Sequence, residues 1–437
     1  MAERRYWLET YGCQMNKAES EALELDLMQH GWQPAQEPSQ AQLVLLNTCS
    51  VRKTAEDRIW GRIGNFKHEK QNRPFLLGLV GCMSQRLQNE IQKEVPEVDI
   101  VVGTFQKKNF IEIVEHALAE KRGIVAARET PYEFSKSHSS GGFKAYVPIM
   151  HGCNNYCSYC IVPYVRGPEV SRPPEDIYNE IESLVKNGVK EITLLGQNVN
   201  SYNYAGKQGR VFFMDLLKTI AADYCGNAWV RFMTSHPKDM TRQLIDIIAE
   251  HHQLCRHIHL PLQHASNRIL EKMNRKYTFE QYRELVLYMK NTVREVTVTT
   301  DILIGFPGET GEDFQRTLDA MRELRFDDAF MYYYNPREGT AAFDYPDTLS
   351  GEEKKKRLAE VIALQREIKQ EKLQRKIGSG AISLVEEVSR RDDTRLLART
   401  EHNDMVVFPG AAALIGTFQK LHITELKGAT LVAEIKN

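Results

Sequence analysis

Three cysteines lie close together in the segment that follows His151. Cys153, Cys157 and Cys160 have the spacing Cys-x3-Cys-x2-Cys, directly after a strand-like run, and we call them the loop trio. Three clustered thiolates can bind a soft metal centre, but they leave one coordination position for a ligand that is not a cysteine. A structural zinc site normally has four protein ligands, and His151 precedes the first cysteine by only two residues, which would strain a tetrahedral loop. The spacing therefore favours a metal centre with an open position over a closed zinc site.

A second set of cysteines, which we call the sheet trio, follows three predicted strands near the N-terminus. Strand-like runs at residues 6–10, 43–46 and 75–80 alternate with helix-like stretches at residues 17–30, 53–66 and 84–93. This rhythm predicts a parallel sheet covered by helices. Cys13, Cys49 and Cys82 each follow a strand within a few residues, so they are expected at one edge of the sheet, where they could hold one cluster. The alternative is that they are packing residues, because cysteine is common in protein cores.

The composition is that of a folded protein without a membrane segment. The chain has 437 residues, 26% charged and 42% hydrophobic, which is enough for two or three domains. We expect a cytoplasmic protein, because the start has no apolar leader and no segment approaches the apolar length of a membrane span. Eight cysteines in so long a chain indicate metal binding or catalysis rather than a secreted disulfide framework. A formal net charge of -1 argues against indiscriminate nucleic-acid binding but allows a local basic patch.

The middle of the chain is predicted to form an incomplete βα barrel. A Ser/Gly-rich joint at residues 135–142 precedes it. Its strand-like runs are residues 146–150, 191–195, 229–233, 257–260, 296–304 and 329–333, with helical patterns between them. Active sites of such barrels lie on the loops that follow the carboxyl ends of the strands, where the loop trio also lies.

Several residues near these strand ends are candidates for binding a cofactor. Gln197 and Asn198 follow the second strand, Ser235 follows the third, and Gly305 follows the fifth. Turn and helix-cap chemistry explains each of them equally well. Tyr159, within the loop trio, is a further candidate.

Other residues that could do chemistry are more simply explained by packing. His257 and His259 lie two apart on one strand, but no third ligand accompanies them, so barrel-facing or core positions are favoured over a metal pair. Cys225 and Cys255 have no partners of matching spacing and are expected to be structural. The aromatic run at residues 332–334 could stack on a nucleobase, yet strands normally accumulate aromatic residues, so core packing is favoured.

The last part of the chain is predicted to contain a basic helix and a small β-barrel. The basic helical pattern at residues 351–378 has two interpretations, a solvated face or a surface that contacts phosphates. Beyond it, short alternating strands predict a barrel of a kind that commonly binds oligonucleotides, although its charges are nearly balanced. These strands are residues 381–388, 396–400, 405–408 and 430–435.

Taken together, these features resemble the methylthiotransferases among the radical S-adenosylmethionine (SAM) enzymes. The loop trio, with Tyr159 before its last cysteine, resembles the radical SAM signature, and the likeness extends over essentially the full chain. The resemblance implies an α/β fold: an N-terminal parallel-sheet α/β domain, an incomplete (βα)6 radical SAM barrel and a C-terminal small β-barrel of the RNA-binding type called TRAM. The expected domains are residues 1–125, 140–373 and 374–437.

Three segments resemble the branch of this family that acts on isopentenylated adenosine in tRNA: residues 10–16, 47–52 and 152–173. Sister enzymes that modify a ribosomal-protein aspartate, or threonylcarbamoyl-adenosine in tRNA, typically lack the Gln-Met-Asn and Asn-Asn elements found here. The resemblance therefore implies transfer of a methylthio group to C2 of N6-isopentenyladenosine at position 37 of tRNA. Two alternatives stay open, namely action on threonylcarbamoyl-adenosine, and an iron-sulfur RNA-binding module without catalysis.

The same resemblance implies the cofactors and partners. The loop trio would hold a 4Fe-4S cluster that binds SAM and generates a radical, and the sheet trio would hold a second 4Fe-4S cluster that carries the transferred sulfur. The implied partners are the anticodon stem-loop of tRNA, a reductant protein such as flavodoxin, and a sulfur donor. No membrane is implied.

Overall fold

The computed structural model describes residues 4–50, 53–105, 109–120, 124–125, 132–134, 142–207 and 209–436. The predicted joint at residues 135–142 lies outside the described residues except for Gly142, and so do Val51 and Arg52 of the segment 47–52. Among the described residues, no helix combines the length and the apolar character needed to cross a bilayer.

The N-terminal unit is a parallel sheet with helices on both faces. Its strands are β1 (Arg4–Thr10), β2 (Trp32–Pro34), β3 (Leu43–Thr48), β4 (Leu76–Gly81), β5 (Ile100–Val102) and β6 (Ile124–Val125). Its helices are α1 (Gln14–Gln29), α2 (Lys53–Glu69), α3 (Cys82–Arg86), α4 (Gln88–Glu94) and α5 (Phe110–Glu120). The strand order is β2-β1-β3-β4-β5-β6, so the three strands that carry the sheet trio, β1, β3 and β4, are neighbours.

Strand β3 shows why this sheet is covered on both sides. All of its residues, Leu-Val-Leu-Leu-Asn-Thr, are buried, and a continuous apolar run is typical of a parallel strand with helices on both faces. The predicted strands are confirmed as β1, β3 and β4. Strands β2, β5 and β6 were not predicted, because runs of two or three residues show no periodicity. The helix predicted over residues 84–93 is interrupted at Leu87.

The middle unit is the expected barrel with two additional short sheets. Its strands are β7 (Lys144–Pro148), β8 (Met150–His151), β9 (Val170–Ser171), β10 (Glu191–Leu195), β11 (Asn203–Gly206), β12 (Gly209–Phe212), β13 (Trp229–Phe232), β14 (His257–His259), β15 (Thr297–Ile304) and β16 (Asp328–Tyr333). Its helices are α6 (Val162–Arg166), α7 (Pro174–Lys186), α8 (Phe213–Thr219), α9 (Arg242–Glu250), α10 (Asn267–Lys272), α11 (Phe279–Thr292) and α12 (Gly311–Leu324).

The predicted barrel strands are confirmed as β7, β10, β13, β14, β15 and β16, which are parallel and follow one another in chain order. They form two three-stranded sheets, which a parallel bridge between Val230 and Leu254 joins. Within the part of the chain that the structure describes, β7 and β16 do not pair with each other. The barrel is therefore open along one side.

Helix α12 illustrates how the sequence fixes a loop at the barrel mouth. Thr310 accepts a hydrogen bond from the Asp313 backbone N–H (3.2 Å), and the Asp313 carboxylate accepts one from the Thr310 N–H (2.9 Å), which is a capping box. Phe314, Leu318 and Met321 follow at helical spacing and pack into the barrel core. The segment between β15 and α12 is thereby held at both ends.

The C-terminal unit is a long helix followed by a closed five-stranded barrel. Its elements are α13 (Gly351–Gln374), β17 (Gly380–Val388), β18 (Arg395–Thr400), β19 (Met405–Pro409), β20 (Phe418–Lys427) and β21 (Thr430–Ile435). The strands close in the order β17-β18-β19-β21-β20. The predicted small barrel is confirmed, and β20 is the strand that the predicted segments did not include.

The small barrel packs against the amino ends of the large barrel's strands. Trp229, the first residue of β13, lies against Phe418 with 4.7 Å between ring centroids. Arg231 donates hydrogen bonds to the carbonyl oxygens of Thr400 (2.7 Å) and Glu401 (3.0 Å). The small barrel therefore covers the end of the large barrel that is opposite to the loop trio.

Helix α13 runs along the outside of the barrel and uses much of its positive charge internally. The Arg357 guanidinium pairs with Glu309 (2.6 Å), near the carboxyl end of β15. Lys372 pairs with Asp327 (2.6 Å), near the amino end of β16. These ion pairs favour a structural role for the buried side of the predicted basic helix over contact with phosphates.

Candidate active site

The loop trio lies in a tightly folded loop between β8 and α6. Gly152 has a φ of +79°, and a side chain there would approach the Pro168 carbonyl oxygen to 2.0 Å. The Gly152 N–H donates to the Gln197 side-chain oxygen (2.6 Å), and the Cys153 N–H donates to the Gly167 carbonyl oxygen (3.1 Å). The loop conformation therefore requires glycine at this position.

The other side of the loop is held by the segment that follows α10. Ser158 donates through its backbone N–H to the Met273 carbonyl (3.1 Å) and through its hydroxyl to the Lys272 carbonyl (2.8 Å). The Asn274 side chain donates to the Tyr156 carbonyl (2.8 Å). These contacts fix the backbone of the loop on this side as well.

Arg275 reaches the sulfur of one of these cysteines. Its Nη1 lies 3.3 Å from Cys157 Sγ, while Nη2 donates to the Pro261 carbonyl (3.1 Å) and Nε contacts the Tyr277 hydroxyl (3.2 Å). The guanidinium is buried, so its charge is poorly screened by solvent. Arg275 was not predicted, because nothing in the local sequence marks a contact across more than one hundred residues.

Burial raises the pKa of the Cys153 thiol to about 11 and that of Cys160 to about 12. The negative charge of Cys157 raises the pKa of both further. The Cys153 and Cys160 thiols therefore need a bound cation to lose their protons at neutral pH. The site is chemically suited to a positively charged metal centre.

The donor set fits an iron-sulfur cluster better than a single ion. Within the described ranges, no three His, Cys, Asp or Glu side chains lie close enough together to ligate one metal ion. In a 4Fe-4S cluster each cysteine binds a different iron, so the sulfur ligands are farther apart than in a mononuclear site. Cysteine thiolates are the ligand type of such a cluster, and three of them would leave one iron without a protein ligand.

Two of the candidate cofactor contacts carry buried polar atoms without a hydrogen-bond partner. Asn198 donates to Asp239 (2.8 Å), but its Oδ1 has no partner, and neither has the hydroxyl of Ser235. An unpaired buried polar group costs free energy, so such atoms indicate a ligand. The neighbouring His236 Nε2 is also unpaired, and burial lowers its pKa, so this ring is neutral. His236 directly follows Ser235, within the same predicted candidate segment after the third barrel strand.

The remaining three candidates have protein partners. Gln197 uses its side-chain oxygen to hold the loop trio, as described above. The Gly305 N–H donates to the Glu309 carboxylate (2.6 Å). The Tyr159 ring packs edge-on against Phe306 (6.4 Å), and burial raises the pKa of Tyr159. These residues shape the barrel mouth around the loop trio.

Of the residues that the sequence explained by packing, the two histidines and two cysteines are buried, whereas the core packing expected of the aromatic run holds only in part. His257 Nε2 and His259 Nδ1 both lie within hydrogen-bond distance of the Thr299 hydroxyl (3.1 and 3.0 Å). Cys225 and Cys255 are buried in separate apolar clusters. The aromatic run at residues 332–334 divides: Tyr334 is buried, whereas Tyr332 is 37% exposed.

The sheet trio lies at the carboxyl ends of β1, β3 and β4, as predicted from the βα rhythm. Cys13 precedes α1, Cys49 follows β3, and Cys82 begins α3. A side chain at Gly12, where φ is +111°, would approach Cys49 Sγ to 2.8 Å. Two of these cysteines therefore come from chain segments that are in direct contact.

Asn16 holds the segments of the sheet trio together. Its side-chain nitrogen donates to the carbonyl oxygens of Tyr11 (2.7 Å) and Thr48 (2.9 Å), next to two of the cysteines. Its Oδ1 accepts from the thiol of Cys13 (3.6 Å). The Asn47 side chain in turn donates to the Asn16 carbonyl (2.8 Å). These asparagines position the trio from within the sheet edge.

The N-terminal unit places the sheet trio over the barrel mouth. Met15 and Ala18 of α1 pack against Leu195, the last residue of β10. Cys82 packs against Ile161 and Val165, which belong to the segment that follows the loop trio. The two trios therefore face a common region.

Three family models match the chain. The Radical SAM superfamily matches residues 147–321, the Uncharacterized protein family UPF0004 matches residues 5–103, and the TRAM domain matches residues 383–436. The first includes the loop trio and the second includes the sheet trio.

Relatives match from end to end. A tRNA-2-methylthio-N(6)-dimethylallyladenosine synthase of Treponema denticola is 46% identical, with 98% of this chain and 99% of the relative covered. A protein of the same name from Geobacter sulfurreducens is 42% identical over 100% of this chain and 98% of its own length. This chain belongs to the tRNA-2-methylthio-N(6)-dimethylallyladenosine synthase family.

Solved structures share the fold of this synthase family at low identity. The radical S-adenosylmethionine methyltransferase TsrM from Kitasatospora setae has a TM-score of 0.57 and 14% identity, with 78% of this chain and 74% of that chain covered. The cobalamin-dependent S-adenosylmethionine radical enzyme OxsB has a TM-score of 0.51 and 11% identity, with 84% and 56% covered. Both support the α/β architecture of the synthase chain.

Proposed function

We propose that this protein is a radical SAM methylthiotransferase that transfers a methylthio group to C2 of N6-isopentenyladenosine at position 37 of tRNA. The observation that carries this proposal is the pair of cysteine trios, each without a fourth cysteine, on segments that pack against each other at the barrel mouth. The chain also belongs to a family of synthases named for this product. Sulfur insertion at an unactivated aromatic carbon needs both a radical source and a sulfur source, and two separate metal centres can supply them.

The loop trio would hold one 4Fe-4S cluster and the sheet trio the other. When bound, the loop cluster and SAM supply the radical chemistry that activates the C–H bond. The protein's own contribution is to bind and orient the reactants. The unpaired Oδ1 of Asn198 would accept a hydrogen bond from a polar group of SAM, and the Ser235 hydroxyl would donate or accept one. Tyr159 and Gly305 line the same barrel mouth. Gln197 would act through the loop that it holds.

The target base would lie against the barrel's last strand. Phe330 and Tyr332 of β16 pair in register with Asp301 and Leu303 of β15, and Phe330 lies 5.7 Å from the ring of barrel-facing His259. Both aromatic side chains are substantially exposed, at 49% and 37%. We call them the aromatic wall. A flat purine with an apolar isopentenyl group matches such a surface.

The rest of the tRNA would contact a basic cleft between the large barrel, α13 and the small barrel. This cavity has a volume of about 730 Å³ and we call it the junction cleft. Its lining includes more cations than carboxylates: Arg294, Lys372, Arg375, Lys376, Lys420 and Lys436 against Glu295, Asp327, Glu401 and Asp404. Lys372 and Lys376 pair with acidic residues, whereas Arg375, Lys420 and Lys436 are exposed. Exposed cations in a concave surface attract a polyanion.

Two further partners follow from the chemistry. Reductive cleavage of SAM consumes an electron, so a reductant protein such as flavodoxin would be needed. Each product removes one sulfur atom, so a sulfur donor would be needed for repeated turnover. We expect the reaction to occur in the cytoplasm, where tRNA and reduced cofactors are present.

The test is to incubate the reduced, iron-reconstituted protein with SAM and two tRNAs, one with isopentenyladenosine and one with threonylcarbamoyl-adenosine. Mass spectrometry of the nucleosides should show the methylthio product only from the isopentenylated tRNA. Product from the other tRNA would assign the sister activity instead. A protein that binds iron and tRNA but forms no product and does not cleave SAM would be an RNA-binding module.

A further inference from the structure

Arg166 lies on α6, the helix that follows the loop trio, and places a positive charge next to the sheet trio. It is the last residue of α6 and follows Cys160 by six positions, yet its side chain points into the N-terminal unit. Only 2% of Arg166 is exposed. A long cationic side chain is rarely buried to this extent without specific partners.

The partners of Arg166 belong to α1, which begins next to Cys13. Nη1 donates to one Glu19 oxygen (2.8 Å) and Nη2 to the other (3.2 Å), which is a two-pronged ion pair. Nη2 also donates to Asn16 Oδ1 (3.2 Å), the same atom that accepts from the Cys13 thiol. The guanidinium and the Cys13 thiol therefore donate hydrogen bonds to the same acceptor atom.

Cys82 lies on the other side of the same group. It packs against Val165, the residue before Arg166. A guanidinium has five N–H donors, and the contacts to Glu19 and Asn16 use three of them. Donors therefore remain for a sulfur atom at the sheet trio.

A simple interdomain ion pair would account for the contact with Glu19, but it would not require a position between two cysteines. A cluster with an open iron, held by thiolates in a buried site, gains negative charge when it accepts an electron or an anionic sulfur ligand. That charge needs a nearby positive group to be stable. Arg166 supplies one.

We propose that Arg166 is a positioning residue for the sheet trio, where its guanidinium stabilises anionic sulfur at the open iron and raises the reduction potential of the cluster. This rests on the proposed function only in so far as the sheet trio holds a cluster. The sheet site is then incomplete without α6 of the barrel, so the segment that carries the loop trio also tunes the sulfur donor.

The experiment uses the full-length, reconstituted protein with Arg166→Gln, Arg166→Lys and, as a matched variant at the other cluster, Arg275→Gln. The midpoint potential of each cluster is measured by EPR-monitored titration, and methanethiolate binding to the open iron is measured in the same samples. Arg166→Gln should shift only the sheet cluster to a more negative potential and weaken methanethiolate about tenfold, as expected for one lost charge-assisted hydrogen bond. Arg166→Lys should recover part of both effects.

Unchanged potential and affinity in Arg166→Gln, with full iron content, would overturn the proposal and leave a structural ion pair. Equal shifts at both clusters would also overturn it, because a local charge cannot act equally at two separate sites. If Arg166→Gln loses iron, the cluster potential and methanethiolate affinity of Arg166→Lys become the test. Lysine keeps the positive charge but cannot form the two-pronged contact with Glu19. If the unsubstituted protein has no methylthiotransferase activity but Arg166→Gln still shifts the potential of the sheet cluster, the proposed function is refuted and the role of Arg166 stands.

Discussion

The two cysteine trios reach the same ligand set by opposite routes. The loop trio occupies eight consecutive residues, and its geometry is set by local backbone and by contacts from the segment after α10. The sheet trio is spread over seventy residues and is assembled only because β1, β3 and β4 are neighbouring parallel strands. The loop trio can be recognised from the spacing of its cysteines in the sequence, whereas the sheet trio depends on the order of the strands in the sheet. A buried arginine lies near each site: Arg275 contacts Cys157 Sγ, and Arg166 shares the acceptor Asn16 Oδ1 with the Cys13 thiol.

The largest effect should come from removing the loop trio. Replacing Cys153, Cys157 and Cys160 by Ala should leave roughly half of the iron, because the sheet trio lies on a separate sheet. SAM cleavage and methylthiolation should both be abolished. Iron analysis and assay of 5′-deoxyadenosine test this, and loss of all iron would show that the two sites are not independent.

Removing the sheet trio should separate the two activities. The variant with Ala at Cys13, Cys49 and Cys82 should still cleave SAM to 5′-deoxyadenosine, because the barrel site keeps its contacts. It should form no methylthio product. Full product from this variant would contradict the sulfur-donor role of the N-terminal unit.

Single glycine substitutions should break one site at a time. Gly152→Ala should abolish binding of the loop cluster, because the alanine side chain would collide with the Pro168 carbonyl. Gly12→Ala should abolish binding of the sheet cluster, because its side chain would collide with Cys49. Gly188→Ala is the matched control: its φ is +92° but nothing lies within 4 Å, so only about 1–2 kcal/mol of backbone strain is expected. Cluster-specific EPR signals and thermal unfolding distinguish these outcomes.

A smaller effect is expected at the aromatic wall. Phe330→Ala should raise KM for isopentenylated tRNA about tenfold, the value of one lost stacking contact, and leave SAM cleavage without tRNA unchanged. Phe343→Ala is the control, since Phe343 is similarly exposed at 44% but lies outside β16. Equal KM values for the two variants would place the base elsewhere.

The smallest effects should come from single cations of the junction cleft. Lys420→Ala or Lys436→Ala should weaken tRNA binding modestly and reduce the slope of log affinity against log salt by about 1. Lys427→Ala is the control, because Lys427 lies outside the cleft and pairs with Glu425 (3.3 Å). If the control variant loses as much affinity as the cleft variants, the small barrel binds RNA through another face.

Substitution is a better test of RNA docking than truncation after Arg375. Removing the small barrel would leave Arg231 without the carbonyl oxygens of Thr400 and Glu401, and would expose Trp229, which packs against Phe418. Uncovering a buried charge and an aromatic ring destabilises the large barrel. A truncated protein with weak tRNA binding would therefore be ambiguous.

Periodicity and spacing predicted the parts of the fold that depend on local sequence. Strands β10 and β21 have the predicted bounds, since each is a run of β-favouring residues with turn residues on both sides. Positions held by distant partners were beyond this reasoning. Arg166 meets Glu19 across 147 positions, and Arg275 meets Cys157 across 118, so no local pattern marks either.

The same limit applies to the candidate SAM contacts. Gln197, Asn198 and Ser235 were proposed because polar residues at strand ends often bind ligands. In the structure these residues differ in their hydrogen bonding. The Gln197 side-chain oxygen accepts from the Gly152 N–H, whereas Asn198 and Ser235 each have a buried polar atom without a partner. Residue type and strand position could not distinguish a ligand contact from a support for the loop.

Within the described residues the edge strands β7 and β16 do not pair with each other, and this has a consequence for a polymeric substrate. A nucleotide inside an RNA continues in both directions, so it cannot be threaded into the closed end of a tube. A barrel with a lateral slit admits a base turned out of its stack while both continuations of the chain remain outside. The aromatic wall borders this slit. Access for an internal nucleotide is thus already present in the strand order, and no strand pairing has to break at each turnover.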